Sequence, residues 1–145
     1  MMERKRVDEI ICNFLINANQ LAYIEEAHST LMVLENLNDL LRYFIRDVQM
    51  VTLYDELEIL KKYITIEKMR HGDRFSVYLN NGNENRAYYI NHLSVIDFFD
   101  TVLYKALERF EHFIKFTLQI HTDDVRRLKI ILDTNDSKEI FTWTL

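Results

Sequence analysis

A chain of 145 residues with no proline and only two glycines has few ways to turn sharply. Proline fixes φ and glycine reaches the left-handed region, and together they make most tight turns. Their scarcity favours long helices joined by a few polar turns. The apolar residues agree. From residue 7 to about 48 they recur at helical spacing in two segments. In the first, Ile11, Leu15, Ala18 and Ala22 make one stripe, widened by Ile10, Phe14, Leu21 and Ile24. In the second, Leu34, Leu37, Leu41, Phe44 and Val48 step by 3, 4, 3 and 4, a coiled-coil-like seam. Two helices of this length expose more apolar surface than they can cover alone. The simplest expected cover is a second copy, giving a four-helix bundle in a homodimer.

A third helix is expected from Leu53, capped by Thr52 with Asp55 as its reciprocal partner. Glu56 adds a favourable charge in the first turn, and Glu58 faces Lys62 one turn on. Its buried stripe is Leu53, Leu57, Leu60 and Ile64. After His71-Gly72 the period changes to alternation. Residues 74–80 read as a strand, followed by the turn signal Asn81-Gly82. Residues 92 to about 111 return to helix through Leu93, Ile96, Phe99, Leu103, Ala106 and Phe110. Three strands are expected at 113–120, 128–133 and 139–145. The aromatics Tyr88, Tyr89, Phe98, Phe99, Phe110, Phe113, Phe116, Phe141 and Trp143 read as core. The fold class is therefore α+β: a helical hairpin over 1–50, then a small α/β sandwich over 51–145.

Composition excludes several classes of function. Apolar residues make up 48% of the chain and charged residues 28%, so a packed core is expected rather than disorder. A formal charge of −5 argues against non-specific nucleic-acid binding. The one cysteine, Cys12, allows no internal disulfide and fits a reducing compartment, so a cytoplasmic location is expected. No apolar run reaches the roughly 18 residues that span a bilayer. His71, His92, His112 and His121 lack metal-ligand spacing, and one cysteine completes no zinc site.

The run from Leu37 to Phe75 carries a specific pattern. Leu37, Leu40, Leu41, Arg42 and Tyr43 come first. Val51, Leu53, Glu56 and Leu57 follow, and Tyr63, Ile64, Ile66, Glu67 and Arg70 close it. In this order and spacing the segment resembles the internal region of LytS-type sensor histidine kinases. The resemblance implies a helical dimerisation module joined to an ATP-binding α/β domain, with a response regulator or a kinase as partner. It also implies a phosphoacceptor histidine in a His-Phe-Leu-Phe-Asn box. Here the corresponding residues are Asn13, Phe14, Leu15, Ile16 and Asn17. An imidazole nitrogen can attack phosphorus, whereas a carboxamide nitrogen is delocalised into its carbonyl and is no comparable nucleophile.

The family's nucleotide motifs are altered as well. Where the resemblance places Glu-Asn near Mg²⁺, the sequence offers Asp100-Thr101. Where it places Asp-x-Gly at the adenine, the sequence offers Asp133-Thr134-Asn135. Twelve residues follow Asp133, and none is the glycine that a phosphate-cradling loop needs. The expectation is a truncated ATPase-like domain without ATP or Mg²⁺ binding, and a pseudokinase acting through dimerisation and partner binding. Asn13 and Asn17 then either fix helix register or remain as a partner-facing surface with Arg42. The alternative is an active divergent histidine kinase or phosphotransferase that uses His28 or His71. A third reading takes the chain as the cytoplasmic part of a membrane-anchored sensor, with Glu3-Arg4-Lys5-Arg6 as its lead-in.

Overall fold

The computed structural model describes residues 2–80, 88–121 and 125–145, with side chains from residue 7 onward. The Asn81-Gly82 turn signal and the side chains of residues 3–6 lie outside that description. The chain forms two compact units, Met1–Asp47 and Val48–Leu145.

The first unit is a hairpin of α1 (Met2–Ile24) and α2 (His28–Phe44). With no glycine available, the turn between them puts Glu26 in the left-handed region at φ 58°. The second helix stops earlier than expected. Arg46 N–H bonds back to the Tyr43 carbonyl, tightening the last turn, and Val48 lies outside the helix. The 3-4 apolar period runs through Val48, but periodicity cannot tell a helix end from the start of a short strand. Leu40 and Tyr43 are the buried residues of α2, while the expected seam of Leu34, Leu37, Leu41 and Phe44 is only half-buried.

The second unit begins with β1 (Met50–Thr52), which pairs antiparallel with β3 (Tyr89–Asn91); Val51 faces Ile90. α3 (Leu53–His71) starts as expected, with Thr52 Oγ1 accepting the Asp55 N–H at 3.2 Å. A short 3-10 turn, Gly72–Arg74, leads into β2 (Phe75–Asn80). Gly72 sits at φ 62°, ψ −138°, a backbone conformation that L side chains rarely adopt. Beyond β3 come α4 (Ser94–Arg109), β4 (Ile114–His121), β5 (Arg127–Asp133) and β6 (Lys138–Thr144).

These last strands and β2 form one sheet in the order β2-β4-β5-β6, with β2 parallel to β4 and the other pairs antiparallel. Alternation sends Ile114, Phe116, Leu118, Leu128, Ile130 and Leu132 to one face, where all are buried. The rings of Phe75 and Phe99 meet Phe116 edge-on at 6.0 and 5.9 Å, joining β2, α4 and β4 in one core. Not every aromatic is core. Tyr89, Phe113 and Trp143 are exposed, although Trp143 stacks on Phe98 at 5.5 Å. Strand ends and an edge strand leave such rings only one packed face.

Candidate functional site

The residues set apart by the sequence pattern fall into three places. The first is the surface of α1. Asn13 and Asn17 are both exposed there, one turn apart, with Phe14 70% exposed between them and Leu15 half-buried. The exposed apolar residues around them form a seam: Val7, Ile10, Phe14, Leu21 and Ile24, with Asn17 at the vacant step. The intervals are 3, 4, 3, 4 and 3 residues. Further along the hairpin, Asn19, Tyr23, Ile24, Leu31 and Glu35 line an open groove of about 390 Å³. The Oδ1 atoms of Asn19 and Asn38 are buried without a hydrogen-bond partner. Arg42 is exposed on α2, while Tyr43 beside it is buried under the Arg46 guanidinium, 5.7 Å from its ring centre.

The second place lies between α3 and α4, and it accounts for most of the remaining pattern residues. Glu56 is fully buried. Its carboxylate accepts the Leu93 N–H at 3.2 Å and the Ile96 N–H at 3.5 Å, so it caps the N-terminus of α4. The first-turn role expected for it on α3 is therefore superseded: the side chain serves the neighbouring helix. Leu93, expected inside that helix, is its N-cap in the left-handed region at φ 68°. At the other end of α4, Arg74 donates to the carbonyls of Leu107 and Phe110. Anion at the N-terminus and cation at the C-terminus both match the helix dipole.

Two turns past Glu56 and beyond, the same layer continues. The Tyr63 hydroxyl donates to Asp100 Oδ1. Glu67, 4% exposed, accepts from the Tyr104 hydroxyl at 3.0 Å and from Arg70 at 3.3 Å. Arg70 also donates to the Tyr104 oxygen at 3.0 Å. Burial, then the Asp100 carboxylate, pushes the Tyr63 hydroxyl far above the usual tyrosine range. Burial and Glu67 raise Tyr104 in the same direction, with Arg70 opposing. Burial and Asp100 hold Asp97 above the ordinary carboxylate value, with His92 working against them. Asp100 is thus a half-buried acceptor between two helices. Lys61 Nζ sits 2.6 Å from Glu58 Oε1 on the wet side.

The third place would be the nucleotide site. Asp133 ends β5 one residue after the inward Leu132, so it lies on the sheet face turned away from α4. The Thr101 hydroxyl is exposed and donates to the Asp97 carbonyl of its own helix. Asp100, Thr101 and Asp133 are therefore not brought to one site. Beside Leu132 a pocket of about 210 Å³ opens against Val102, Lys105 and Phe141. Arg109 and Glu139 border it, joined by two bonds of 2.9 and 2.7 Å. Drug-sized ligands usually occupy roughly 300–1,000 Å³. Among the described residues no group of three or more His, Cys, Asp or Glu is placed to hold a metal ion.

The two histidines of the alternative reading differ in access. His28 is exposed at the first position of α2. His71 Nε2 is buried 3.2 Å from Glu67 Oε2, off the line of a good hydrogen bond. Its ring lies against Tyr104 and Phe75 at 5.9 and 6.4 Å.

Residues 8–75 match the family model of histidine kinases. That match runs from α1 through α3 to the first residue of β2, just under half of the chain, and ties this part of it to signal transduction of the two-component type. It covers Asn13, the Arg42-Tyr43 pair and the α3 residues of the buried layer, and stops short of Asp100 and Asp133. A comparison with curated proteins returns no match. Among the described residues no helix is long and apolar enough to cross a membrane.

Proposed function

We propose that the chain is a degenerate LytS-type histidine kinase module, a homodimeric signalling domain that transfers no phosphate. The observation that carries this reading is Asn13. It stands on the exposed side of α1, inside the segment that matches histidine kinases, where the resemblance places the phosphoacceptor. A carboxamide there offers a partner hydrogen bonds but no nucleophile for phosphorus. The rest of the expected chemistry fits poorly too. One Asp100 oxygen is taken by Tyr63, Asp133 faces away from α4, and the pocket near Leu132 is small for Mg-ATP.

The dimer rests on the α1 seam. Five exposed apolar residues at heptad intervals, interrupted by Asn17, match a helix that packs against a copy of itself. A single asparagine in such a seam fixes register at some cost in stability. In this reading Asn17 sets the pairing, and Asn13 with Arg42 faces a response regulator or kinase.

The test is autophosphorylation with labelled ATP together with calorimetric titration of Mg-ATP. Neither phosphohistidine nor nucleotide heat is expected. Micromolar nucleotide binding, or acid-labile phosphate on His28, would favour a working kinase or phosphotransferase instead.

A further inference from the structure

The sheet face turned away from α3 and α4 carries a pattern that the buried layer does not use. Register partners on adjacent strands point to the same side, so the outward residues form rows across the sheet. One row is Ser76, Lys115, Asp133 and Lys138; the next is Tyr78, Thr117, Ile131 and Ile140. The third is Asn80, Gln119, Lys129 and Thr142, and Arg127 lies beyond it beside His121. Tyr78 is 60% and Ile140 53% exposed. An apolar row thus runs between basic ones, with about 7 Å separating neighbouring rows along each strand. Four cations stand against the single carboxylate of Asp133, in a chain whose formal charge is −5. None of the four has an ion-pair partner among the described residues.

We propose that this face docks an acidic amphipathic segment of a partner protein. Tyr78, Ile131 and Ile140 would receive its apolar side chains, and Lys115, Lys138 and Lys129 its carboxylates. Charge selects this occupant over a second copy, and the scarcity of stacking rings selects it over RNA. A second copy meeting the same face would bring like charges together in an isologous contact, which is repulsive. RNA-binding sheets stack two or three bases on aromatic rings. Among the described residues the rings of this face are Tyr78 and His121, on different strands and two rows apart, and the rest of the central row is threonine and isoleucine. The docking surface is independent of α1 and of whether the protein transfers phosphate.

The experiment is a titration of the isotope-labelled full chain, followed by backbone amide resonances. The probe is a synthetic helical peptide with leucine at i, i+3, i+4 and i+7 and glutamate elsewhere. The lysine version of that peptide and an oligouridine serve as competitors. The glutamate peptide is expected to shift resonances of β2, β4, β5 and β6, with affinity falling as salt rises. Lys115→Glu/Lys129→Glu/Lys138→Glu should weaken binding about tenfold or more with thermal unfolding unchanged. Lys138→Glu alone, on an exposed edge position, keeps the test decisive if the triple variant fails to fold. Ile140→Ser should lower affinity and leave the salt dependence intact. No binding of the glutamate peptide, equal binding of the lysine peptide, preference for oligouridine, or shifts confined to the hairpin would each overturn the proposal.

Discussion

Glu56 shows how one side chain can mislead a local rule and then explain a pattern. An acid three residues into a helix is favourable for that helix, and nothing nearby in sequence suggests more. The fold places its carboxylate beneath Leu93 and Ile96, 37 and 40 residues away. Glu56→Ala removes the acceptor and leaves two N–H groups without a partner in a buried site. A loss of about 1–3 kcal/mol is expected in urea unfolding, more than capping loss at an exposed helix usually brings. Tyr63 makes a second prediction, in pH. Its hydroxyl is held protonated in the fold by burial and Asp100, so its folded pKa lies above the unfolded value of 10.0. The stabilisation is complete below that value and declines as pH rises past it. The stability gap between the native protein and Tyr63→Phe should therefore be constant to about pH 9 and narrow above pH 10. Equal slopes for the two proteins would mean the hydroxyl contributes nothing.

Among the elements, the long ones were legible and the short ones were not. α3 begins where its cap, Thr52, announces it, and β4 and β5 alternate cleanly between buried and open faces. β1 and β3 are three residues each, too short to show a period, and form only because they find each other. Arg74, which holds the far end of α4, carried no signal either, since its partners are main-chain carbonyls of a distant helix. On α1 the exposed seam was visible as surplus apolar residues, and its prediction concerns assembly. Phe14→Glu puts a charge at the centre of the seam, 70% exposed in the single chain, so folding should be unaffected. Sedimentation should show the native protein as a dimer and the variant as a monomer; a variant that stays dimeric would move the interface elsewhere.

For the molecule as a whole, the proposed function separates the kinase-like pattern from the kinase-like chemistry. Glu56, Tyr63, Glu67 and Arg70 all bond within one layer between α3 and α4, so they serve architecture in this chain. A pattern held by packing does not depend on the reaction that the resemblance implies. The sequence alone shows an asparagine at position 13, where the resemblance implies the reacting histidine. It could not show that Asp100 is tied to Tyr63 or that Asp133 lies on the far face, since both depend on how distant elements meet. On the proposed reading, a histidine at position 13 does not by itself bring phosphoryl transfer. Asn13→His, incubated with labelled Mg-ATP, is expected to hold no acid-labile phosphate; recovery of label would mean that a nucleotide site survives.

The strand order β2-β4-β5-β6 also sets an order of opening. β4, β5 and β6 follow one another through short connections and pair as a meander, so each ladder closes a small loop. β2 reaches β4 only in parallel, after the chain has travelled from Asn80 to Ile114 by way of α4. Its ladder closes the largest loop in the sheet and is the first that can detach without disturbing the others. In native-state hydrogen exchange at low denaturant, the amides of Val77 and Leu79 should lose protection before those of Ile130 and Leu132. The sheet would then come apart from its parallel edge inward, with the meander as its last intact piece.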